Sequence, residues 1–472
     1  MEEGESVYEK VRLSKKVRIA LYTGGLVLLL GGSWIGLNWK SIFLKPNFTG
    51  EEKIKQVILI SLDAVYEADF ETLSQMPVFK ELIERGAYSK QVKAVYPTLT
   101  YPVHTSIITG AYPDKHGIYH NHPLQPGITS NNQVWFWYQD EINVPTLFAK
   151  LEEHNLVTAS ILWPVTGGAN ITYNLPEVVA LEGENQAIKL LKAGTPLYLI
   201  EEYFKNGRIL GDGQQPRLDQ FSTAVAVDTI KTKKPNFLAI HLIAVDHFRH
   251  KTGVQSEAVD QAFKVYEKSV TDIVNATKEA GTYDDTIFVI TSDHGQIDIN
   301  QNVYLNNVLE RAGYISRTEN GIEYQAYAQS LGLGTYIYIK DHDPLIKKEV
   351  MKLLKTLMKN PKYGIERIYD ESELSKMHAS SKFDLAIEAK SGYQFKDNLT
   401  TYDTKSNIVY GNHGYSPSKT GYKNIFIISG NSIKNEYDIG PMNIVDIAPT
   451  ISELFGFEYY DCDGEALKEI YD

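Results

Sequence analysis

The chain has 472 residues, enough for one large or two ordinary domains, and its 43% hydrophobic and 22% charged residues are typical of a globular protein. The formal net charge of −12 argues against double-stranded nucleic acid as a partner, because binding to a phosphate backbone requires a basic surface. The single cysteine, Cys462, excludes an intrachain disulfide framework and a thiolate zinc site, so a metal would have to be held by Asp, Glu and His.

The first predicted element is a membrane anchor over residues 19–39. This segment has no charged side chain and is long enough for a helix across a bilayer core. The basic residues that precede it are Lys10, Arg12, Lys15, Lys16 and Arg18. The positive-inside rule therefore predicts a cytoplasmic tail of residues 1–18, with the rest of the chain outside the cell. The alternative is a cleaved signal peptide, but the apolar run is long for one and no small-residue cleavage site follows it.

An extracellular location makes the cysteine count informative. Animal proteins of this size outside the cell usually carry several disulfides, so we expect a bacterial protein, held at the cell membrane by a single span. The expected boundaries are a linker at 40–55, a catalytic domain at 56–461 and a C-terminal tail at 462–472.

Apolar runs alternate with helical periods from residue 56 onward. The predicted strands are 56–63, 87–95, 156–163, 236–246, 286–293 and 424–429. The predicted helices are 70–86, 145–154, 182–207, 219–233, 256–280 and 443–455. This alternation predicts an α/β fold with a mostly parallel central sheet flanked by helices. A βαββ pattern at 334–340, 344–359, 363–369 and 383–390 predicts a small α+β insertion at about 320–405.

The stretch 96–110 lies between the second strand and the next helix. Two prolines prevent one continuous helix across it, so a helix is expected only over 103–109. Thr98 and Thr100 then lie where backbone N–H groups have no helical partner and the helix dipole favours negative charge. A hydroxyl group there could attack phosphorus if its pKa were lowered. The alternative is an ordinary N-cap threonine.

Acids and histidines recur where predicted strands end. The acids are Asp63, Asp246 and Asp293, and the histidines are His250, His294 and His413. A single acid at a strand end is more often a turn residue. A parallel sheet, however, brings neighbouring strand ends to one edge, where these side chains could hold two metal ions. Carboxylate and imidazole ligands suit zinc, although other divalent ions are possible.

The motifs, in this order, resemble the nucleotide pyrophosphatase/phosphodiesterase branch of the alkaline phosphatase superfamily. They are Leu62-Asp63-Ala64, Pro97-Thr-Leu-Thr100-Tyr-Pro102, Tyr112 to Asn121, Asp246-His-Phe-Arg-His250, Ser292-Asp293-His294-Gly295 and Gly411-Asn-His413-Gly-Tyr415. The resemblance covers residues 56–455 and implies an alkaline-phosphatase-like fold. It also implies two zinc ions per chain.

The resemblance assigns a role to each motif residue. It implies that one metal is held by Asp246, His250 and His413, and the other by Asp63, Asp293, His294 and Thr100. Thr100 would be the nucleophile, because the family nucleophile stands 21 residues before the Asn that Asn121 matches. Zinc would make its hydroxyl an alkoxide at neutral pH, and a phospho-threonine intermediate would follow. The Asn121 amide would donate to the phosphoryl oxygens.

The substrate pocket departs from the family pattern. Tyr101 stands where the family commonly has Phe, and Trp163 matches a family Trp-Pro strand end. We predict that Tyr101, Trp163 and Asn121 bind substrate, although either aromatic could equally be a core residue. Among the nearby histidines, His116 is expected to be structural. His120 and His122 are expected to be solvated.

The resemblance implies hydrolysis of phosphodiester or pyrophosphate bonds in extracellular nucleotides or similar small diesters. An alternative is a related phosphomonoesterase, phosphonate hydrolase, or phosphoglycerol or phosphoethanolamine transferase with the same metal site. A monoesterase would need a cation for the extra phosphate charge, and only Arg249 is adjacent to a predicted ligand. A binding protein without catalysis is a third possibility, which the complete set of ligand positions disfavours.

Overall fold

The computed structural model describes residues 56–128, 132–319 and 321–471. The predicted membrane anchor and its flanking segments lie outside the described residues. Among the residues that are described, no helix is both long and apolar enough to cross a membrane.

Strands and helices alternate along most of the described chain. The strands are β1 (Gln56–Leu62), β2 (Gly86–Lys93), β3 (Thr158–Ile161), β4 (Tyr173–Leu175), β5 (Phe237–Leu242), β6 (Thr286–Thr291), β7 (Ile297–Tyr304), β8 (Ile315–Thr318), β9 (Gly321–Tyr324), β10 (Ala326–Ser330), β11 (Gly334–Ile339), β12 (Ile365–Tyr369), β13 (Leu385–Ala389), β14 (Gly392–Lys396), β15 (Thr404–Asn412), β16 (Asn424–Ser429), β17 (Tyr437–Asp438) and β18 (Met442–Asn443). The α-helices are α1 (Phe70–Ser74), α2 (Pro77–Glu84), α3 (Thr100–Thr109), α4 (Pro113–His116), α5 (Leu147–Glu153), α6 (Gln186–Ala193), α7 (Pro196–Leu210), α8 (Arg217–Thr232), α9 (Ala244–Thr252), α10 (Glu257–Ala280), α11 (Leu305–Arg311), α12 (Pro344–Met358), α13 (Glu371–Lys376) and α14 (Ile447–Leu454).

The central sheet is mixed, with the order β17-β2-β16-β6-β1-β5-β3-β4 and with β18 beside β2. β1 runs parallel to both β5 and β6 at its centre. Only β16 is antiparallel to its neighbours, β2 and β6. The prediction of a mostly parallel sheet in an α/β fold is therefore confirmed, with one reversed strand.

Both faces of the sheet are covered, which explains the continuous apolar run of β1. Ile58 and Ile60 point into a core shared with α2, α8 and α10. Val57 and Leu59 point to the opposite face, into a core shared with α3, α5 and α14. All four side chains are fully buried. Because successive side chains alternate between faces, a strand buried on both sides has no position that faces solvent, and its sequence is mostly apolar.

The insertion has the predicted βαββ order in β11, α12, β12 and β13, and β10 precedes it. Strands β10, β11, β12 and β13 form a separate antiparallel sheet in the order β10-β11-β13-β12. At its base, β7 and β15 pair antiparallel, with Ile297 opposite Asn412. This pairing returns the chain to the central domain just before His413.

Four predicted boundaries were wrong for identifiable reasons. The helix predicted at 70–86 is broken at Pro77, which starts α2 at a position where its missing N–H is harmless. The helix predicted at 182–207 is likewise two helices, with a new start at Pro196. Helix α3 begins at Thr100 instead of 103, since Pro102 fits into its first turn. Asp246 does not end β5 but lies in the first turn of α9.

The segment predicted as a C-terminal tail packs on the domain. Ile470 is fully buried and Leu467 nearly so, both in the core that contains α14. The Asp463 N–H donates to the Gly110 carbonyl at 2.7 Å. This segment therefore supports the end of helix α3.

Candidate active site

Helix α3 presents Thr100 at its first position. Leu99 is the extended N-cap residue, and Gly110 ends the helix in the left-handed conformation with φ of 63°. The Thr100 Oγ1 lies 3.3 Å from His294 Nε2. Thr98 is turned away, because its hydroxyl donates to the Tyr415 carbonyl at 2.8 Å. Thr100 is therefore the threonine beside the predicted ligands.

Asp63, Asp293 and His294 lie together at the ends of β1 and β6. His294 Nε2 is 3.6 Å from Asp63 Oδ1 and 3.2 Å from Asp293 Oδ2. Asp293 Oδ1 accepts the backbone N–H of Ala64 at 3.1 Å and of His294 at 2.9 Å. Within the described chain, Asp63 Oδ1 and Asp293 Oδ2 are buried and accept no hydrogen bond. Each of these two acids thus directs one unpaired oxygen toward His294.

Asp246, His250 and His413 form a second group. Asp246 and His250 are four residues apart on α9, so they share a helix face, with His250 Nε2 3.2 Å from Asp246 Oδ1. His250 Nδ1 donates to the Gly411 carbonyl at 2.9 Å, and His413 Nδ1 donates to the Thr98 carbonyl at 3.1 Å. A neutral ring that donates through Nδ1 presents a lone pair at Nε2, which is the form that binds a metal.

The two groups are contiguous. The rings of His294 and His413 stack with centroids 3.7 Å apart and planes 10° from parallel. Ligand atoms of Asp63, Asp246 and His294 also lie within 4.8 Å of one another, in an arrangement that could hold a metal ion. The structure thus brings all six predicted ligands together beside Thr100.

The shifted pKa values of these groups show that ionised carboxylates are unfavourable at this buried site unless a cation is bound. Burial, together with the charge of the neighbouring Asp246, raises the pKa of Asp63 well above its usual value and that of Asp293 to about 8. Burial lowers the pKa of His413 to about 4 and that of His294 well below its usual value. Buried carboxylates need a positive partner, and neutral imidazoles offer lone pairs. This donor set fits a divalent cation such as zinc.

Asn121 is held in a defined orientation. Its carboxamide oxygen accepts the Tyr101 backbone N–H at 3.0 Å. Because the oxygen is engaged, the amide nitrogen points away from that backbone and keeps its two N–H groups for another acceptor. This geometry is compatible with the predicted donation to a phosphoryl oxygen.

The two aromatic residues predicted to bind substrate are fully buried. The Tyr101 hydroxyl donates to Glu177 Oε1 at 3.0 Å. Trp163 packs edge-on against His104, with ring centroids 4.9 Å apart. Neither ring has an exposed face on which a base could stack. The structure therefore gives no support to a substrate-binding role for Tyr101 or Trp163, and both are core side chains.

Two buried histidines at the site were missed from the sequence. His241 Nε2 lies 3.0 Å from Asp63 Oδ2. His104 donates through Nδ1 to the Thr100 carbonyl at 2.8 Å and lies 3.7 Å from Asp293 Oδ2. The sequence did contain a signal for each, because His104 is one helical turn after Thr100 and His241 interrupts the apolar run of β5.

Two histidines near the site differ from expectation, and a nearby arginine is engaged within the protein. His120 and His122, expected to be solvated, are 3% and 9% exposed, and His120 Nε2 donates to the Ser330 carbonyl at 2.8 Å. Arg249 is buried and binds Asp69 through two hydrogen bonds of 2.7 and 3.0 Å. It is therefore unavailable to a substrate phosphate.

Known proteins resemble this chain over most of its length. The family model described as type I phosphodiesterase/nucleotide pyrophosphatase matches residues 57–416. The bis(5'-adenosyl)-triphosphatase of Mus musculus is 22% identical over 451 residues, which are 91% of this chain and 84% of that protein. Ectonucleotide pyrophosphatase/phosphodiesterase family member 1 of Homo sapiens is 26% identical over 289 residues, 59% of this chain and 27% of that protein.

Solved structures share the fold. Inactive murine ectonucleotide pyrophosphatase/phosphodiesterase 5 in complex with AMP superposes with a TM-score of 0.64 at 15% identity, over 89% of this chain and 100% of that one. The human counterpart superposes with a TM-score of 0.64 at 17% identity, over the same shares of the two chains.

Proposed function

The chain belongs to the type I phosphodiesterase/nucleotide pyrophosphatase family of hydrolases, and on that premise we propose that it cleaves phosphodiester or pyrophosphate bonds through a covalent phospho-threonine at Thr100. The observation that carries this proposal is the position of the Thr100 hydroxyl, 3.3 Å from His294 within a largely buried cluster of three acids and three histidines. A nucleophile surrounded by side chains that can bind metal is suited to phosphoryl transfer through a covalent intermediate.

Two zinc ions are the proposed cofactors. Asp246, His250 and His413 would hold one. Asp63, Asp293 and His294 would hold the other, with Thr100 as a further ligand. When bound, the metals would supply positive charge that lowers the pKa of a coordinated hydroxyl or water and neutralises the charge on the phosphoryl oxygens.

The chain itself supplies the nucleophile and the orientation of the phosphoryl group. Thr100 Oγ1 would form a bond to phosphorus as the leaving oxygen departs, and water would then break the Oγ1–P bond to release the product. The dipole of α3 would favour negative charge at its N-terminus, and the Asn121 amide would donate hydrogen bonds to the non-bridging oxygens. Because Tyr101 N–H fixes the Asn121 carboxamide, this donor is preorganised.

A nucleotide is the proposed substrate, by analogy with the triphosphatase relative and with the structural neighbour that binds AMP. A diester or pyrophosphate is favoured over a monoester, because the arginine adjacent to His250 is bound by Asp69 and cannot meet a second phosphate charge.

We further propose that the catalytic domain lies outside the cell, held by the apolar segment 19–39. The support is the length of this segment and the basic residues before it. Intact cells that express the chain should hydrolyse a membrane-impermeant nucleotide added to the medium. Activity that appears only after the cells are broken would contradict this location.

The decisive assay compares p-nitrophenyl thymidine monophosphate with p-nitrophenyl phosphate on the purified full chain with added zinc. The diester should turn over faster, and faster turnover of the monoester would favour the alternative phosphomonoesterase. Thr100→Ala should abolish turnover but leave two zinc ions bound. Thr98→Ala is the matched control and should stay active. Undiminished activity of Thr100→Ala would contradict the nucleophile assignment.

A further inference from the structure

His241 contacts the carboxylate of Asp63, one of the candidate metal ligands. It lies on β5 opposite Ser61 of β1 and is fully buried. Its Nε2 is 3.0 Å from Asp63 Oδ2, a distance at which an Nε2–H group donates a hydrogen bond to the carboxylate oxygen.

The two oxygens of Asp63 have different surroundings. Oδ2 receives the His241 N–H, whereas Oδ1 is buried, accepts no hydrogen bond from the described residues and lies 3.6 Å from His294 Nε2. Asp293 shows the same division, because its Oδ1 accepts two backbone N–H groups while its Oδ2 faces His294. For Asp293 the main chain fixes the carboxylate. For Asp63 a side chain does so.

His241 itself is fixed in place. Its ring packs against that of His104, with centroids 4.2 Å apart. The backbone of Asp63 is anchored separately, since the Tyr266 hydroxyl donates to the Asp63 carbonyl at 3.1 Å. Rotation of the Asp63 carboxylate is therefore restrained chiefly by the bond from His241.

We propose that His241 is a positioning residue, which donates its Nε2 proton to Asp63 Oδ2 and thereby turns Oδ1 toward the divalent cation beside Thr100. This role rests on the proposed two-metal function. Partners that orient a metal ligand typically change metal affinity about 10–100-fold when removed. His241 is thus expected to set the affinity of one of the two sites without touching the ion.

The test measures zinc affinity of the full chain by competition with a chromophoric chelator. His241→Phe keeps a planar ring but removes the donor, and it should weaken one of the two sites about 10–100-fold while the other is unchanged. His241→Gln, whose amide can place an N–H near the position of Nε2, should restore most of the affinity. His116→Phe is the matched control, because His116 is also fully buried and bonds a hydroxyl, Ser106 Oγ, at 2.9 Å. It should bind zinc as the wild type does.

Each outcome decides a different point. A wild-type chain that binds no zinc would contradict the proposed metal function itself. Two sites of unchanged affinity in His241→Phe would overturn the positioning role, as would an equal loss in His241→Gln. If His241→Phe does not fold, His241→Asn replaces it, because the shorter amide does not reach Oδ2. Equal affinities of the Asn and Gln variants would then overturn the role.

Discussion

Arg249 contacts both groups of candidate ligands through the backbone, and its removal tests how much its buried ion pair with Asp69 contributes to the free energy of unfolding. It lies on α9 with Asp246 and His250, and its guanidinium donates to the Ala64 carbonyl, directly after Asp63. It also forms two hydrogen bonds with Asp69, of 2.7 and 3.0 Å, and one with the Val254 carbonyl at 3.1 Å. The side chain is 2% exposed, so these bonds are shielded from water.

Arg249→Met would leave Asp69 as a buried carboxylate without its cation, since the Asp69 side chain is 11% exposed. Removal of one partner from a buried ion pair costs about 3–5 kcal/mol, more than the loss of the contact alone. We therefore expect the free energy of unfolding of the metal-free protein to fall by about this amount, as measured by urea denaturation with EDTA present.

The double variant Asp69→Asn/Arg249→Met is the control, because the neutral amide removes the uncompensated charge and can still accept the Tyr66 N–H that Asp69 accepts at 3.1 Å. It should be more stable than Arg249→Met alone. A loss below about 1 kcal/mol in the single variant, or no recovery in the double variant, would refute the argument from the buried charge.

Three further predictions concern catalysis, pH and metal. Asn121→Asp keeps the acceptor for the Tyr101 N–H but loses the donors, so kcat should fall about 10²–10³-fold with zinc content unchanged; an unchanged kcat would rule out donation. Burial lowers the pKa of His116 to about 3, so the unfolded chain binds a proton below pH 6.5 that the folded chain does not. The free energy of unfolding should therefore fall as pH drops from 6.5 toward 3. In denaturation series at several pH values, His116→Phe should reduce the dependence of this free energy on pH by up to about 1.4 kcal/mol per pH unit. Equal pH dependence in the wild type and the variant would contradict this. Burial raises the pKa of Asp293 to about 8, so zinc must displace a proton from it at neutral pH. Zinc affinity, measured by chelator competition, should therefore fall at least about tenfold per pH unit below 8, and an affinity independent of pH would exclude this proton.

The central strands could be predicted because burial on both faces leaves a strong signal. Residues 56–63 and 424–429 are mostly apolar runs, and β1 and β16 occupy nearly the same positions. Helix starts were predicted less accurately where a proline lies in the first turn. Pro77 and Pro196 each begin a new helix where the sequence pattern predicted one continuous helix, and Pro102 lies inside a helix that was predicted to start after it. A local pattern does not distinguish a proline that ends a helix from one that begins it.

The proximity of the six candidate metal ligands could be predicted because acids and histidines follow apolar runs at fixed motif positions. The surroundings of those ligands could not. The contacts of His241 with Asp63 and of Arg249 with Ala64 join residues 178 and 185 positions apart, which no local pattern reveals. For Tyr101 and Trp163 the sequence left substrate binding and core packing equally open, because the choice depends on packing between segments that are distant in sequence.

The turn between β10 and β11 has a consequence for the boundaries of the enzyme. Its Leu333 N–H donates to the His413 carbonyl at 2.8 Å, and its Ser330 carbonyl accepts the His120 side chain. At Gly414 a larger residue would collide with the Leu331 carbonyl, so the two backbones meet without intervening side chains. The insertion is thus packed directly against the segment that carries His413. Excision of residues 320–405 from the enzyme would remove the backbone contact that holds His413, a candidate metal ligand.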